Sequence, residues 1–231
     1  MRASRTLKVT ASNLEAYRLW RLFDFITTDE LFARIRGDAM PEPTFETKLG
    51  NAYHELVLTP WLNGLDGIVD IEGIMFDSCT AYDELADVLP LKSTFEVWGR
   101  RYFSNYWDGH TVYVLGRLDA MFGNEIKDLK VSLKSKDPVT RVDSLQWPLY
   151  CEVAGCRKFT YVDVQLRSIK ATVGQPAHFQ TVKVNPLTLY LSDSIARDLK
   201  VAVIDYLQFV ENAGLLDFID DNKKPTNNKR R

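Results

Sequence analysis

GRLDAMFGNEIKDLK, residues 116–130, carries a Gly-Asn pair at Gly123-Asn124 between two runs that read as strands, the signature of a tight hairpin. With Gly123 and Asn124 as the turn residues, Phe122 faces Glu125, Met121 faces Ile126, Ala120 faces Lys127, and Asp119 faces Asp128 across the ladder. Opposed residues on antiparallel strands hold their Cβ atoms roughly 4.5–5.5 Å apart. Like charges repel at that distance, so two acids placed there call for a cation between them. Lys130 lies two residues beyond Asp128 and, because strand side chains alternate, projects from the same face as both acids. Hard oxygen ligands at this spacing suit Mg²⁺ or Mn²⁺, and a neighbouring ammonium can orient a metal-bound water or neutralise phosphate charge. That combination is the chemistry of phosphodiester hydrolysis. For this segment taken alone, the alternative is a solvent-facing hairpin with ordinary surface charges.

The rest of the chain sets the bounds. A length of 231 residues with 45% hydrophobic content is enough for a substantial core and reads as one domain over residues 1–219, followed by a disordered basic tail over 220–231. A net charge of -2 excludes a globally basic nucleic-acid coat but leaves room for a locally positive groove. Cys79, Cys151 and Cys156 are odd in number and match neither a disulfide framework nor a zinc spacing, which points to a reducing compartment. With no apolar leader and no run of membrane-spanning length, the expectation is a soluble, cytoplasmic protein that does not engage a membrane.

Helical spacing over Ser12–Arg36 predicts one or two helices, with Ser12 and Asn13 as candidate N-caps and Gly37 as the stop. A second helical stretch, Thr44–Leu58, is closed by Pro60 and carries Gly50 and His54 one turn apart. A mixed region from Ile71 to Leu89 contains a helix near Ala81–Val88. Three strands then form a meander: Thr94–Phe103, Thr111–Ala120 and Glu125–Val131, with Asp108-Gly109 as the first turn. A short helix at Ser144–Ala154 precedes strands at Phe159–Arg167 and His178–Val184. Pro186 is read as the turn before a long amphipathic helix, Asp193–Ala213, capped by Gly214.

Four motifs thus stand in a fixed order: Gly50-x-x-x-His54 on a helix, Gly116-Arg117-Leu118-Asp119 on a strand, Asp128-Leu129-Lys130 on its neighbour, and Gln146-x-x-x-Tyr150 on the next helix. Over roughly Ser12 to Tyr150 this order and spacing resembles the PD-(D/E)XK nuclease superfamily, and more narrowly its RecB-like exonuclease branch of phage and bacterial recombination-type nucleases. The resemblance implies an α/β (α+β-like) fold, a restriction-endonuclease-like core with a central mixed β-sheet flanked by helices. It also implies that His54, Asp119, Asp128 and the backbone carbonyl of Leu129 hold Mg²⁺ or Mn²⁺, and that Lys130 is the catalytic lysine. An imidazole beside two carboxylates would make Mn²⁺ an effective substitute. A histidine capped by a neighbouring acid such as Glu55 is the plain alternative for His54. A mid-helix glycine disfavours a helix by about 1 kcal/mol relative to Ala, so Gly50 suggests close approach of a backbone or ligand on the face it shares with His54.

Lys130 has two candidate roles, a general base with a depressed pKa or a fixed cation beside the transition state; the nearby carboxylates favour the second. Gln146 and Tyr150 are candidates to hydrogen-bond the DNA strand and Trp147 to stack on a base, against ordinary helix packing for all three. Glu125 and Glu72 are further acids within possible reach of the metals or their waters, against a plain reading as solvated strand or loop residues. Some relatives hold an iron-sulfur cluster whose early cysteine follows a Ser-x-Leu-x-x-Tyr pattern. Here Ser12, Leu14 and Tyr17 fit that pattern but Trp20 stands in the cysteine's place, so no cluster is expected and the long C-terminal helix should close the fold by apolar packing. The resulting expectation is a metal-dependent deoxyribonuclease, an exonuclease acting on linear DNA ends in recombination, repair or phage replication. A structure- or sequence-selective endonuclease, or a non-catalytic DNA- or partner-binding module, are the alternatives. A homo-oligomer or a recombination partner protein is compatible with each.

Overall fold

The computed structural model describes residues 4–38, 41–59, 66–90, 92–107, 109–134 and 141–223. Strand β1 (Thr6–Thr10) buries Leu7 and Val9 and runs straight into helix α1 (Ala11–Phe23). Thr10 is the cap, its hydroxyl accepting the Asn13 N–H at 3.2 Å, so the helix starts ahead of Ser12 and Asn13. Helix α2 (Thr28–Arg36) has a capping box between Thr27 and Glu30 and ends, as expected, at Gly37, which takes the left-handed conformation. Helix α3 (Phe45–Leu58) is capped by Thr44; Pro60 lies outside the described residues.

Strands β2 (Ile68–Ile71) and β3 (Ile74–Asp77) lead into α4 (Ser78–Leu85). This helix begins three residues before the predicted one because the Asp77 carboxylate caps it, accepting the Thr80 N–H at 3.2 Å. The meander is present as β4 (Thr94–Trp107), β5 (His110–Phe122) and β6 (Glu125–Ser132), with Asp108 outside the described residues. Helix α5 (Gln146–Ala154), strands β7 (Lys158–Ile169) and β8 (His178–Tyr190), and helices α6 (Asp193–Asn212) and α7 (Leu216–Ile219) complete the order.

The sheet runs β1-β5-β6-β7-β8-β3-β2, with β4 on the opposite side of β5 from β1. Its β1–β5, β6–β7 and β3–β8 pairs are parallel and the others antiparallel, giving the expected central mixed sheet flanked by helices. Helices α1, α5 and α6 build one apolar cluster with Leu14, Leu149, Phe159 and Tyr206; α3 and α4 build the other with Leu56, Ala81, Leu129 and Val162. Trp20 packs against Tyr17 of its own helix and Phe209 of α6, with ring centroids 5.9 and 4.9 Å apart.

Two readings are corrected. Pro186 is no turn; it pairs with Val162 inside β8. Strand β3 meets β8 only at Phe76↔Phe179, so farther along β8 has β7 as its ladder partner and a proline is tolerated on the open edge. The fold also continues past Ile219. Asp220 is buried and bridges Leu7, and Lys223 pairs with Asp217 at 2.6 Å. Residues 224–231 of the predicted basic tail lie outside the described residues. No helix among the described residues is long and apolar enough to cross a membrane.

Candidate active site

The hairpin register is the expected one: Phe122↔Glu125, Met121↔Ile126 and Ala120↔Lys127. The ladder then stops one residue short of Asp119↔Asp128. At that point the Leu129 N–H donates to Asp119 Oδ2 at 2.8 Å, so a side chain takes the place of a ladder bond and the two strands part. On the same side of β5 the parallel ladder with β1 ends at Leu115, and the ladder with β6 begins at Ala120. Gly116–Asp119 therefore sit in a gap in the sheet, and Asp119 lies at its inner end.

Four of the predicted residues meet there. His54, on α3, places Nε2 3.0 Å from the Leu129 carbonyl oxygen and Nδ1 3.9 Å from Asp119 Oδ2. Burial, and next the Lys130 charge, hold His54 below its ordinary pKa, so the ring is neutral at neutral pH. Donating to a carbonyl puts its proton on Nε2, which leaves Nδ1 a bare acceptor facing a carboxylate oxygen. Two acceptors turned toward each other are favourable only with a cation or proton between them.

Asp128 is 1% exposed, and Lys130 Nζ lies 2.5 Å from its Oδ2. The approach is off the direction a hydrogen bond needs, so this buried oxygen has a charge partner but no well-directed donor. Gln146 Nε2 reaches Asp128 Oδ1 at 3.5 Å and Tyr150 Oη at 3.2 Å. Burial pushes the Asp128 carboxyl up to about 6 and raises Asp119 as well. Burial opposes the charge on Lys130, but the two carboxylates together outweigh it and hold the ammonium above its ordinary pKa. The two carboxylates thus favour the charged form of this lysine.

Among the described residues, no three His, Cys, Asp or Glu side chains already stand grouped around a metal position. The donor types nevertheless fit a divalent ion: the desolvated carboxylates of Asp119 and Asp128, the latter with one buried oxygen lacking a directed donor, the Leu129 carbonyl and a bare imidazole nitrogen.

Helix α5 is set against this gap by two glycines. Gly99 and Gly116 are cross-strand partners; a Cβ on Gly116 would lie 2.6 Å from Tyr150 Cε1, and one on Gly99 2.2 Å from Val153 Cγ1. Their bare backbones let α5 lie close enough for Gln146 to reach Asp128. Gly50 behaves differently, since no atom lies within 4 Å of where its Cβ would be. It admits no neighbouring backbone and leaves open surface one turn from His54.

Trp147 does not join the site. It is buried, its Nε1–H donates to the Val142 carbonyl at 2.9 Å, and it has no free face for a base. Glu125 is turned away as well, held by Thr160 at 2.6 Å and Lys158 at 2.9 Å. Glu72 lies in the exposed turn between β2 and β3, with a φ of 52°.

A cleft of about 500 Å³ leads off the gap, lined by Gly116, Arg117, Gln146 and Tyr150 on one side and by Thr10, Ser12 and Glu15 from the start of α1 on another. Trp98 of β4, Cα partner of Arg117, also lines it. The sequence reading gave Trp98 no role. The available signal was its phase: Trp98 alternates with Glu96 and Arg100, two charged residues, which marks an outward face.

No protein-family model and no curated protein matches the chain. It is similar to ten solved chains, three of which follow. One is an alkaline exonuclease from Laribacter hongkongensis, at 12% identity over 90% of this chain and 89% of that one, with a TM-score of 0.40. The second is that exonuclease in complex with dAMP, at 10% identity over the same shares, with a TM-score of 0.41. The third is a phage related exonuclease from Haemophilus somnus, at 11% identity over 79% of this chain and 93% of that one, with a TM-score of 0.35. At such identities and scores the functional reading rests on this chain's own residues.

Proposed function

We propose that the chain is a metal-dependent deoxyribonuclease that hydrolyses phosphodiester bonds, working as an exonuclease on linear DNA ends in recombination, repair or phage replication. The observation that carries the hydrolase reading is the convergence of Asp119, Asp128 and Lys130 at a break in the sheet, with His54 and the Leu129 carbonyl beside them. The choice of DNA ends follows the motif resemblance.

In this reading Asp119, Asp128, the Leu129 carbonyl and His54 would hold Mg²⁺ or Mn²⁺. When bound, such an ion polarises the phosphate and lowers the pKa of a coordinated water. Lys130 keeps its proton and sets a fixed positive charge beside the phosphate as negative charge builds there. Gln146 ties Asp128 to Tyr150 and so orients the carboxylate; both α5 side chains face the cleft a strand would occupy. His54, neutral and anchored to Leu129, offers Nδ1 as a nitrogen ligand, which favours Mn²⁺ as a working substitute.

End-labelled linear DNA and closed circular DNA, each with Mg²⁺, Mn²⁺ or EDTA, test the proposal. Loss of linear DNA alone, in metal only, supports an end-dependent exonuclease and reports its polarity. Cutting of circles moves the reading to an endonuclease. Failure to cleave either DNA by folded, metal-loaded protein overturns the catalytic reading in favour of a binding module.

A further inference from the structure

Glu96 is bent against its own strand. It lies within β4 with a φ of 50°, in the left-handed region that residues other than glycine enter only under strain. An inserted residue would explain such a bend, but none is present here. Phe95↔Ala120 on one side and Val97↔Leu118 on the other keep the same register, and the ladder skips the pair between them. That skipped pair is Glu96 with Asp119, and no step of the proposed hydrolysis uses Glu96.

The bend has an electrostatic reason. Opposed residues on antiparallel strands hold their Cβ atoms roughly 4.5–5.5 Å apart, so an extended Glu96 would set its carboxylate straight against that of Asp119. Instead Glu96 Oε1 meets Arg117 Nη2 at 2.9 Å. Arg117 has a second acid in its range. It stands two residues before Asp119 on β5, so both side chains project from one face. Its charge opposes the rise that burial causes at Asp119 and opposes protonation of His54, so it is felt at both. A guanidinium closed onto Asp119 would form the forked pair that suits a carboxylate best, and would occupy with a fixed charge the oxygens a metal ion needs. With Arg117 held by Glu96, Asp119 is left with the Leu129 N–H on Oδ2 and with the His54 ring nearby.

We propose that Glu96 is a positioning residue that keeps Arg117 off Asp119, so that the Asp119 carboxylate stays open to a divalent ion. The left-handed backbone takes the Glu96 carboxylate out of opposition to Asp119 and brings it to Arg117, which is what the strain accomplishes. The inference rests on the metal-dependent reading of the site and adds to it a residue, outside the motifs that carry that reading, on which the affinity for the ion depends. Both partners of the pair are about half exposed, so the effect has the size of one exposed ion pair.

Isothermal titration of the full chain with Mn²⁺, without DNA, tests it on wild type, Glu96→Gln, Arg117→Gln and the chain carrying both. Glu96→Gln should weaken Mn²⁺ binding about fivefold, the weight of an exposed ion pair newly formed between Arg117 and Asp119. In the Arg117→Gln background the same substitution should change the affinity by less than about twofold, because the competing cation is gone. Equal losses in both backgrounds would show Glu96 acting through its own charge and overturn the inference, as would an unchanged affinity in Glu96→Gln. Glu96→Gly removes the carboxylate and accepts a positive φ freely, so it should lose the same affinity with no fall in melting temperature. A loss of affinity seen only together with a lowered melting temperature makes Glu96 a structural residue and also overturns the inference. Wild type that binds Mn²⁺ and cleaves DNA with no dependence on Glu96 loses this inference and keeps the metal-dependent reading; wild type that binds no divalent ion loses both.

Discussion

Asp128 carries the sharpest conflict in the molecule, a carboxylate buried to 1% exposure whose best partner is a lysine two residues along its own strand. Burial raises its pKa from 3.8 to about 6, so between those values the folded chain holds a proton that the unfolded chain releases. The metal-free protein should therefore gain stability from this group as pH falls from 7 toward 4, and lose it again as pH rises through 6. At about 1.4 kcal/mol per pKa unit, the swing is on the order of 2–3 kcal/mol. Asp128→Asn does not titrate, so in EDTA its melting temperature relative to wild type should be higher at pH 8 than at pH 4; a difference independent of pH would contradict this. Lys130 should show the opposite separation of stability and activity. In the proposed mechanism Lys130, held charged by Asp128 and Asp119, acts through its fixed charge, so Lys130→Met should lower the cleavage rate by roughly 10²–10³, the loss typical of one electrostatic stabiliser.

Helix α5 shows how an element places a site. Gly99 and Gly116, paired across β4 and β5, leave the floor on which Val153 and Tyr150 rest. Gly99→Ala should destabilise the fold by about 1–3 kcal/mol in urea denaturation. Val153→Ala in the same chain should recover much of that, since it removes the atom 2.2 Å from the new Cβ; no recovery would mean that α5 is held by something else. Much at this scale was legible beforehand. The Gly123-Asn124 turn fixed the hairpin register, and Gly37 marked a real helix end. Strand β1 was missed because five residues bury only Leu7 and Val9, too few to show a period, and their pairing with β5 is parallel and distant in sequence. Pro186 misled because proline signals a turn unless the strand lies at an open edge, and edges are a property of the assembled sheet. That Asp119, Asp128, Lys130 and His54 lie together was legible from motif order. The burial of Trp147 and the exposure of Trp98 were not, since both depend on which side of the sheet α5 covers.

Over the whole molecule, a net charge of -2 on a chain that would act on a polyanion means that attraction must be local. The break in the sheet offers one place for it: β1 leaves β5 at Leu115, β6 joins at Ala120, Asp119 lies in the gap between, and Arg34 and Arg117 line the cleft beside it. Millimolar Mg²⁺ or Mn²⁺ should raise the melting temperature of the wild type, by the equivalent of about 2.7 kcal/mol at a hundredfold excess over Kd, and should leave a chain carrying both Asp119→Ala and Asp128→Ala unmoved. Equal stabilisation of both proteins would place the ion elsewhere. The most direct test of the central claim is cleavage of end-labelled linear DNA in Mg²⁺ by wild type, Asp128→Ala and Lys130→Ala, each first shown by its melting curve to be folded. The account predicts rapid degradation by the wild type, abolished by EDTA and reduced at least a hundredfold in both variants; undiminished cleavage by either folded variant would contradict it.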